Sequence, residues 1–259
     1  MMRIAAIQHD IVFEDRDATL AQLETPVSQA AESGAQLVAL TEMFATGFSM
    51  RTQLTAESVD GPTATWMHRQ AAKHGLVVAG SVPLMPQSPQ ATGATLPTNT
   101  LLLVHPDGNV DRYDKIHPFS YAGEHERFSA GASAETIELF GVRIGLSVCY
   151  DLRFSYLYWD RASEVDAELI VANWPASRRD HWLGLLHARA VENQTYVIGV
   201  NRIGTGGKLD YLGDSRVFDP SGNVLASASD EPAVLVADLD TEVVRATRSQ
   251  FPFAADRLR

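Results

Sequence analysis

Val142-Arg143-Ile144-Gly145-Leu146-Ser147-Val148 runs directly into Cys149-Tyr150-Asp151-Leu152-Arg153. The first seven residues are almost continuously apolar, as expected of a strand buried on both faces. The next five carry turn-forming and charged residues, and a helix is expected over about 154–164. A strand that ends on a cysteine and turns into a helix holds the sulfur rigidly. It also sets the sulfur beside backbone N–H groups and the positive end of a helix dipole. This stretch predicts an α/β fold with a site at a strand's C-terminal end. The alternative reading of Cys149 is a buried, inert side chain, since free cysteine is among the most buried residue types.

The neighbouring segments repeat the pattern. Downstream, 168–172 and 195–201 read as strands around a helix over 181–192. Strands over 215–218 and 224–228 then flank the turn Pro220-Ser221-Gly222-Asn223. Upstream, the strand 3–8, the helix Arg16–Glu32 (with Pro26 inside and Gly34 beyond its end), the strand 36–40, the helix 61–74 and the strand 76–82 follow the same order. The segment 84–98, rich in Pro, Gln, Thr and Ser, reads as a surface loop. Strands over 99–105 and 110–113 flank Pro106-Asp107-Gly108-Asn109, a hairpin signal with almost the chemistry of Pro220–Asn223. Two such halves predict a four-layer α-β-β-α sandwich of two mixed sheets with an internal pseudo-repeat. The hairpins add antiparallel strands that a simple doubly wound sheet lacks. No Gly/Ser-rich linker divides the halves, so one domain over 1–259 is expected.

Composition limits the function. The chain has 259 residues, 45% apolar and 20% charged, enough for a sizeable core. Its 32 acidic and 21 basic residues give a net charge of −11, which repels phosphate backbones and argues against a nucleic-acid partner. No run of 18 apolar residues occurs, so no membrane-spanning helix is expected. The start of the chain does not read as a secretory signal, and the lone cysteine excludes an internal disulfide. Both fit a cytoplasmic address.

A thiol with a free pKa of about 8.5 needs a base. His117, His181 and His187 are candidates. So is Glu42, which follows the strand 36–40 beside Met43 and Phe44, where desolvation strengthens a carboxylate as a base. Lys115, closing the strand 110–113, is positioned to donate to an oxyanion, although a lysine at a strand end is usually a surface charge. Gly204-Thr205-Gly206-Gly207 lacks the spacing of a phosphate loop and reads as an ordinary loop. Glu124-His125-Glu126 and the pair His181/His187 lack metal-ligand spacing, and no metal or organic cofactor is expected.

Taken together, Leu40–Phe48 (LTEMFATGF), Tyr113–Phe119 (YDKIHPF) and Val148–Phe154 (VCYDLRF) resemble, in order, the catalytic segments of the nitrilase (carbon–nitrogen hydrolase) superfamily. Gly123–Gly131, Val171–Pro175 and Ala188–Val197 extend the resemblance over nearly the whole chain. It implies a catalytic triad of Cys149 as nucleophile, Glu42 as general base and Lys115 as oxyanion stabiliser, with the Tyr150 backbone N–H as a second donor. It also implies a second glutamate, best matched by Glu124, seven residues before Gly131. Ala130 stands where the family has proline, and Glu126 blurs the register.

Within the superfamily the chain looks most like the ω-amidases, which hydrolyse the terminal amide of acids such as 2-oxoglutaramate. N-carbamoyl amine hydrolases, aliphatic amidases and nitrilases are the alternatives, and a non-catalytic binding protein on this fold is another. Tyr150-Asp151 differs from the Trp-Glu that commonly follows a nitrilase cysteine. A carboxylate-bearing substrate needs a cation, for which Arg153 is the first candidate and Arg178 the second. Phe44, Phe48 and Trp174 are expected as apolar walls. The resemblance further implies a homodimer through helices near the nucleophile. The helix after Cys149 carries Phe154, Tyr156, Leu157, Tyr158 and Trp159, more aromatic surface than one inward face hides, and the tail over about 240–259 is expected near that interface.

Overall fold

The computed structural model describes residues 1–86 and 95–257. Its first half contains β1 (Met2–Gln8), α1 (Arg16–Glu32), β2 (Leu37–Ala39), the short α2 (Thr52–Thr55), α3 (Pro62–His74), β3 (Val77–Leu84), β4 (Thr98–Val104) and β5 (Val110–Asp114). The second contains β6 (Thr136–Leu139), β7 (Val142–Val148), α4 (Ser155–Arg161), β8 (Ala167–Ala172), α5 (Arg179–Asn193) and β9 (Tyr196–Asn201). It continues with β10 (Ile203–Gly206), β11 (Leu209–Leu212), β12 (Arg216–Phe218), β13 (Val224–Ser227), β14 (Ala233–Leu239) and α6 (Thr241–Gln250).

The helix ends follow local chemistry. Asp15 caps α1 by accepting from the Ala18 amide, α3 has Pro62 at its first position, and Pro26 stands inside α1 without ending it. The ends of the expected loop over 84–98 are strand residues, Leu84 in β3 and Thr98 in β4. Residues 87–94 of that loop lie outside the described residues.

Two six-stranded sheets form, ordered β14-β1-β2-β3-β4-β5 and β13-β12-β9-β8-β7-β6. In each, three parallel strands (β1-β2-β3, β7-β8-β9) are followed by an antiparallel hairpin (β4-β5, β12-β13) and bordered by an antiparallel edge strand (β14, β6). The pseudo-repeat is thus one of topology. Both Pro-x-Gly-Asn turns sit at matching hairpins, where Gly108 (φ +90°) and Gly222 (φ +86°) occupy the left-handed region a turn glycine tolerates.

Alternation along the strands separates the layers. Ile4, Leu37 and Val77 meet Ile144, Leu169 and Ile198 between the sheets. Ile7, Val38 and Val78 face outward against Leu23 of α1 and Met67 of α3. Helices α4 and α5 cover the second sheet through Tyr158, Trp182 and Leu186. The result is the four-layer α-β-β-α sandwich. One expectation is corrected: Gly204–Gly207 is not a plain loop. Ile203–Gly206 pairs with Leu209–Leu212 in a two-stranded ribbon, where tertiary pairing overrides the glycines' weak strand preference.

The ends of β1 and β7 are counterparts, and where β7 gives Cys149, β1 gives His9. Burial dominates its ring and lowers its pKa to about 4, although the Phe44 and Ile7 carbonyls favour the charged form. An unfolded histidine titrates near 6.5. Between these values the unfolded chain holds the extra proton. Stability present above about pH 6.5 is therefore lost as pH falls through about 4, on the order of 3 kcal/mol in total. Urea unfolding between about pH 7 and about pH 5 should show this slope. His9→Gln should flatten it, and an unchanged slope would contradict the assignment.

Candidate active site

Strand direction decides where the functional side chains meet. β2 runs parallel to β1 and β3, so Glu42 emerges at the C-terminal edge of the first sheet. β5 is antiparallel to β4, which is antiparallel to β3, so Lys115 emerges at the same edge. Cys149 and Asn173 leave the ends of the parallel neighbours β7 and β8. The Asn173 amide donates to Glu42 Oε2 at 2.9 Å, and its side-chain amide donates to the Glu42 carbonyl, which joins the two sheets at this edge.

Lys115 Nζ donates to Glu42 Oε1 at 2.8 Å and to both Glu124 oxygens, at 3.0 and 2.8 Å. The three side chains are 0–1% exposed. Burial would lower the Lys115 pKa, but the Glu124 and Glu42 carboxylates outweigh it and hold the ammonium above its usual range. For Glu124 burial outweighs Lys115, helped by the Glu42 charge, and its carboxyl is raised. Two carboxylates thus share one cation, in a space too dry for water to compensate the surplus charge. Glu126 is exposed, which settles the register in favour of Glu124. Gly131 has a packing reason: a Cβ there would lie 2.0 Å from the Asp114 carbonyl oxygen, while the Gly131 amide donates to Lys115 O.

Cys149 has φ +49°, a left-handed conformation rare outside glycine, at the junction of β7 and a 3₁₀ turn over Cys149–Arg153. Its thiol lies 3.9 Å from the Asn173 carbonyl oxygen. Burial, then the Glu42 carboxylate, push its pKa well up against the pull of Lys115, so the sulfur rests as a thiol. None of the candidate histidines serves it. His117 is held by Asp151 and Tyr156, His181 accepts from Arg153, and His187 packs on Phe218.

A cavity of about 180 Å³ opens over Cys149 and Lys115. Tyr150, Arg153, Trp174, Phe48 and Arg178 line it as expected, with Lys115 Nζ 5.3 Å from the Phe48 ring centroid. Phe44 does not line it. Met43 adopts φ +40°, and Phe44 turns into the outer core against Trp66, in the space left by the missing Cβ of Gly80. Met50, Phe119, Leu209 and Tyr211 supply further walls. Sequence reasoning missed Asn99. Its side-chain amide bridges Glu42 (2.8 Å) and Glu124 (3.1 Å), and its oxygen accepts from Ser81. Its only signal was a polar residue heading an apolar strand. Among the described residues no cluster of three His, Cys, Asp or Glu is arranged for a metal, and no helix is long and apolar enough to cross a membrane.

A buried carboxylate, an ammonium and a thiol at converging strand ends define a cysteine hydrolase site of Cys-Glu-Lys type, and the comparisons agree with that class. The sequence profile of the carbon–nitrogen hydrolase family matches residues 3–249. Omega-amidase YafV of Escherichia coli (strain K12) is 38% identical over 254 residues, covering 97% of this chain and 94% of that one. The 2-oxoglutaramate amidase of Bacillus subtilis (strain 168) is 30% identical over 98% of this chain and 96% of its own. A CN-hydrolase superfamily protein from Xanthomonas campestris, solved with an arsenic adduct in its active site, superposes with a TM-score of 0.93 at 34% identity, covering 100% and 97%. The chain belongs to the carbon–nitrogen hydrolase family of the nitrilase superfamily, as an enzyme of amidase type.

Proposed function

We propose that this carbon–nitrogen hydrolase is an ω-amidase. It would release ammonia from the terminal amide of a short acid whose other end is a carboxylate, 2-oxoglutaramate being the type. One observation carries the reading. Arg153 and Arg178 both line the cavity over Cys149, and among the described residues neither meets a carboxylate. Arg153 lies 4.7 Å from the Trp174 ring centroid, Asp151 is bound elsewhere, and Glu192 pairs with Arg189. Two unpaired guanidiniums at a pocket mouth suit a substrate carboxylate. No Asp or Glu lines the cavity to receive an ammonium, which favours 2-oxo over 2-amino acid amides.

In this reading Glu42 takes the thiol proton as Cys149 Sγ attacks the amide carbon. The thiol is not ionised beforehand, so proton transfer accompanies attack. Lys115 Nζ and the Tyr150 N–H receive the oxyanion. The C–N bond breaks as a proton returns to nitrogen from Glu42, or from Glu124 with its raised carboxyl. Water then loses a proton to Glu42 and attacks the thioester. The C–S bond breaks and the acid leaves. The amidase from Nesterenkonia sp. AN1, solved with acrylamide added at its active-site cysteine, supports a nucleophilic thiol (TM-score 0.82, 28% identity, covering 97% of this chain and 98% of that one).

Ammonia release should be fastest from 2-oxoglutaramate or 2-oxosuccinamate in a panel with glutamine, asparagine, carbamoyl amines, neutral amides and nitriles. Arg153→Lys keeps the charge but loses the fork. It should raise KM for the carboxylate-bearing amides by about tenfold while changing a neutral amide little. Equal losses on both would remove Arg153 from this role and direct the test to Arg178.

We also infer a homodimer, because Tyr156 (55%) and Trp159 (39%) on α4 and Phe251 (66%) at the end of α6 expose a neighbouring apolar surface. Light scattering at micromolar concentration should give twice the 28.3 kDa chain mass, and a monomer would contradict it. A nucleophilic thiol must stay reduced, so we assign the enzyme to the cytoplasm. Activity that required export would contradict this.

A further inference from the structure

We propose that Asp151 is a positioning residue that sets the spacing between Lys115 and Cys149, an inference that rests on the catalytic reading of those two. Asp151 is fully buried. Its carboxylate accepts four hydrogen bonds. Oδ2 takes the Tyr113 hydroxyl at 2.7 Å and the Val148 amide at 2.9 Å. Oδ1 takes the His117 amide at 3.1 Å and His117 Nδ1 at 2.7 Å. Tyr113 and His117 each lie two residues from Lys115, on either side, and Val148 directly precedes Cys149. One carboxylate therefore grips the Lys115 segment at both ends and ties it to the strand that delivers the nucleophile.

Nothing else in the neighbourhood makes this link so directly. The other partners of Lys115, Glu42 and Glu124, come from the first-sheet side, while Cys149 comes from the second. Tyr113 also closes the loop on itself, since its hydroxyl oxygen accepts from the Ile116 amide at 3.3 Å. The chain Asp151–His117–Tyr156 has the composition of a catalytic relay, but it runs outward to the exposed Tyr156 and away from the sulfur. Asp151 thus acts through the position of the oxyanion donor rather than on the thiol's proton.

The test separates spacing from stability. Asp151→Asn keeps the volume, but its NH₂ must face at least one group that now donates. Tyr113→Phe removes one of the four bonds and leaves the rest. Turnover is counted per thiol titrated with iodoacetamide, so unfolded protein drops out. Alkylation is a displacement that forms no oxyanion, so it reports the sulfur alone. For Asp151→Asn we expect kcat to fall about 10²-fold with KM and the alkylation rate nearly unchanged, and for Tyr113→Phe a smaller fall in kcat of about tenfold. If Asp151→Asn does not fold, Tyr113→Phe decides. Unchanged kcat per titrated thiol in the folded variants would overturn the proposal, as would alkylation falling in step with kcat. Cys149→Ala is the control: if it still turned over substrate, the catalytic reading would fail rather than the spacing.

Discussion

Glu42→Gln is expected to abolish turnover almost as completely as Cys149→Ala, with ammonia release as the measure. Cys149→Ala removes the sulfur but exchanges one small side chain for another, so folding should survive. Glutamine keeps the outline of Glu42 and loses its capacity to take a proton. It also disturbs the site. Oε1 of Glu42 accepts from Lys115 Nζ and Asn99 Nδ2, and Oε2 accepts from the Asn173 amide. An NH₂ group at either position faces a donor with a donor, in a place water does not reach. Both proton transfers of the proposed cycle pass through this carboxylate, so kcat should fall by at least three orders of magnitude. A variant that kept more than about a tenth of wild-type kcat would show that another group is the base.

Lys115→Ala should have the second-largest effect, in both activity and stability. Loss of an oxyanion donor typically lowers kcat by about 10²–10³. Here the same lysine is the only cation bonded to two fully buried carboxylates. Its removal leaves Glu42 and Glu124 facing each other, and uncompensated buried charge of this kind destabilises by about 3–5 kcal/mol. The sign with pH follows from the cluster. Without the ammonium, burial and mutual repulsion raise the folded carboxyls further above their unfolded values. The folded variant then binds protons that the unfolded chain does not, and its deficit against wild type should narrow as pH falls. Denaturant titrations of the two proteins across that range check this. A deficit that widened on acidification would mean that Lys115 is not the counter-charge of the cluster.

The sequence carried the elements that are buried on both faces or strongly capped. Val142–Val148 and Arg16–Glu32 have their expected bounds, because a continuous apolar run and an Asp15 cap are local signals. The edge strands were less visible. β14 alternates buried and exposed residues and becomes a strand by pairing with β1, more than 200 residues away, which no local pattern announces. The hairpin of β10 and β11 was hidden by its glycines. Within the site, the charged and sulfur-bearing residues were legible because their types and order are unusual. Phe44 was misread because its direction depends on the backbone turn at Met43, and a side chain's type does not reveal that. Asn99 was missed because a single buried amide is recognised only when the two carboxylates it bridges are brought together by β2 and the loop after β5.

The claim that organises all of this is a thioester on Cys149 formed from an acid bearing an ω-amide. Acid quench of the enzyme during turnover of 2-oxoglutaramate, followed by peptide mass spectrometry, tests it most directly. The account predicts a 2-oxoglutaryl group on the peptide containing Cys149, appearing within the first turnover and decaying as substrate is exhausted. Steady ammonia release with Cys149 unmodified at every time point would contradict it.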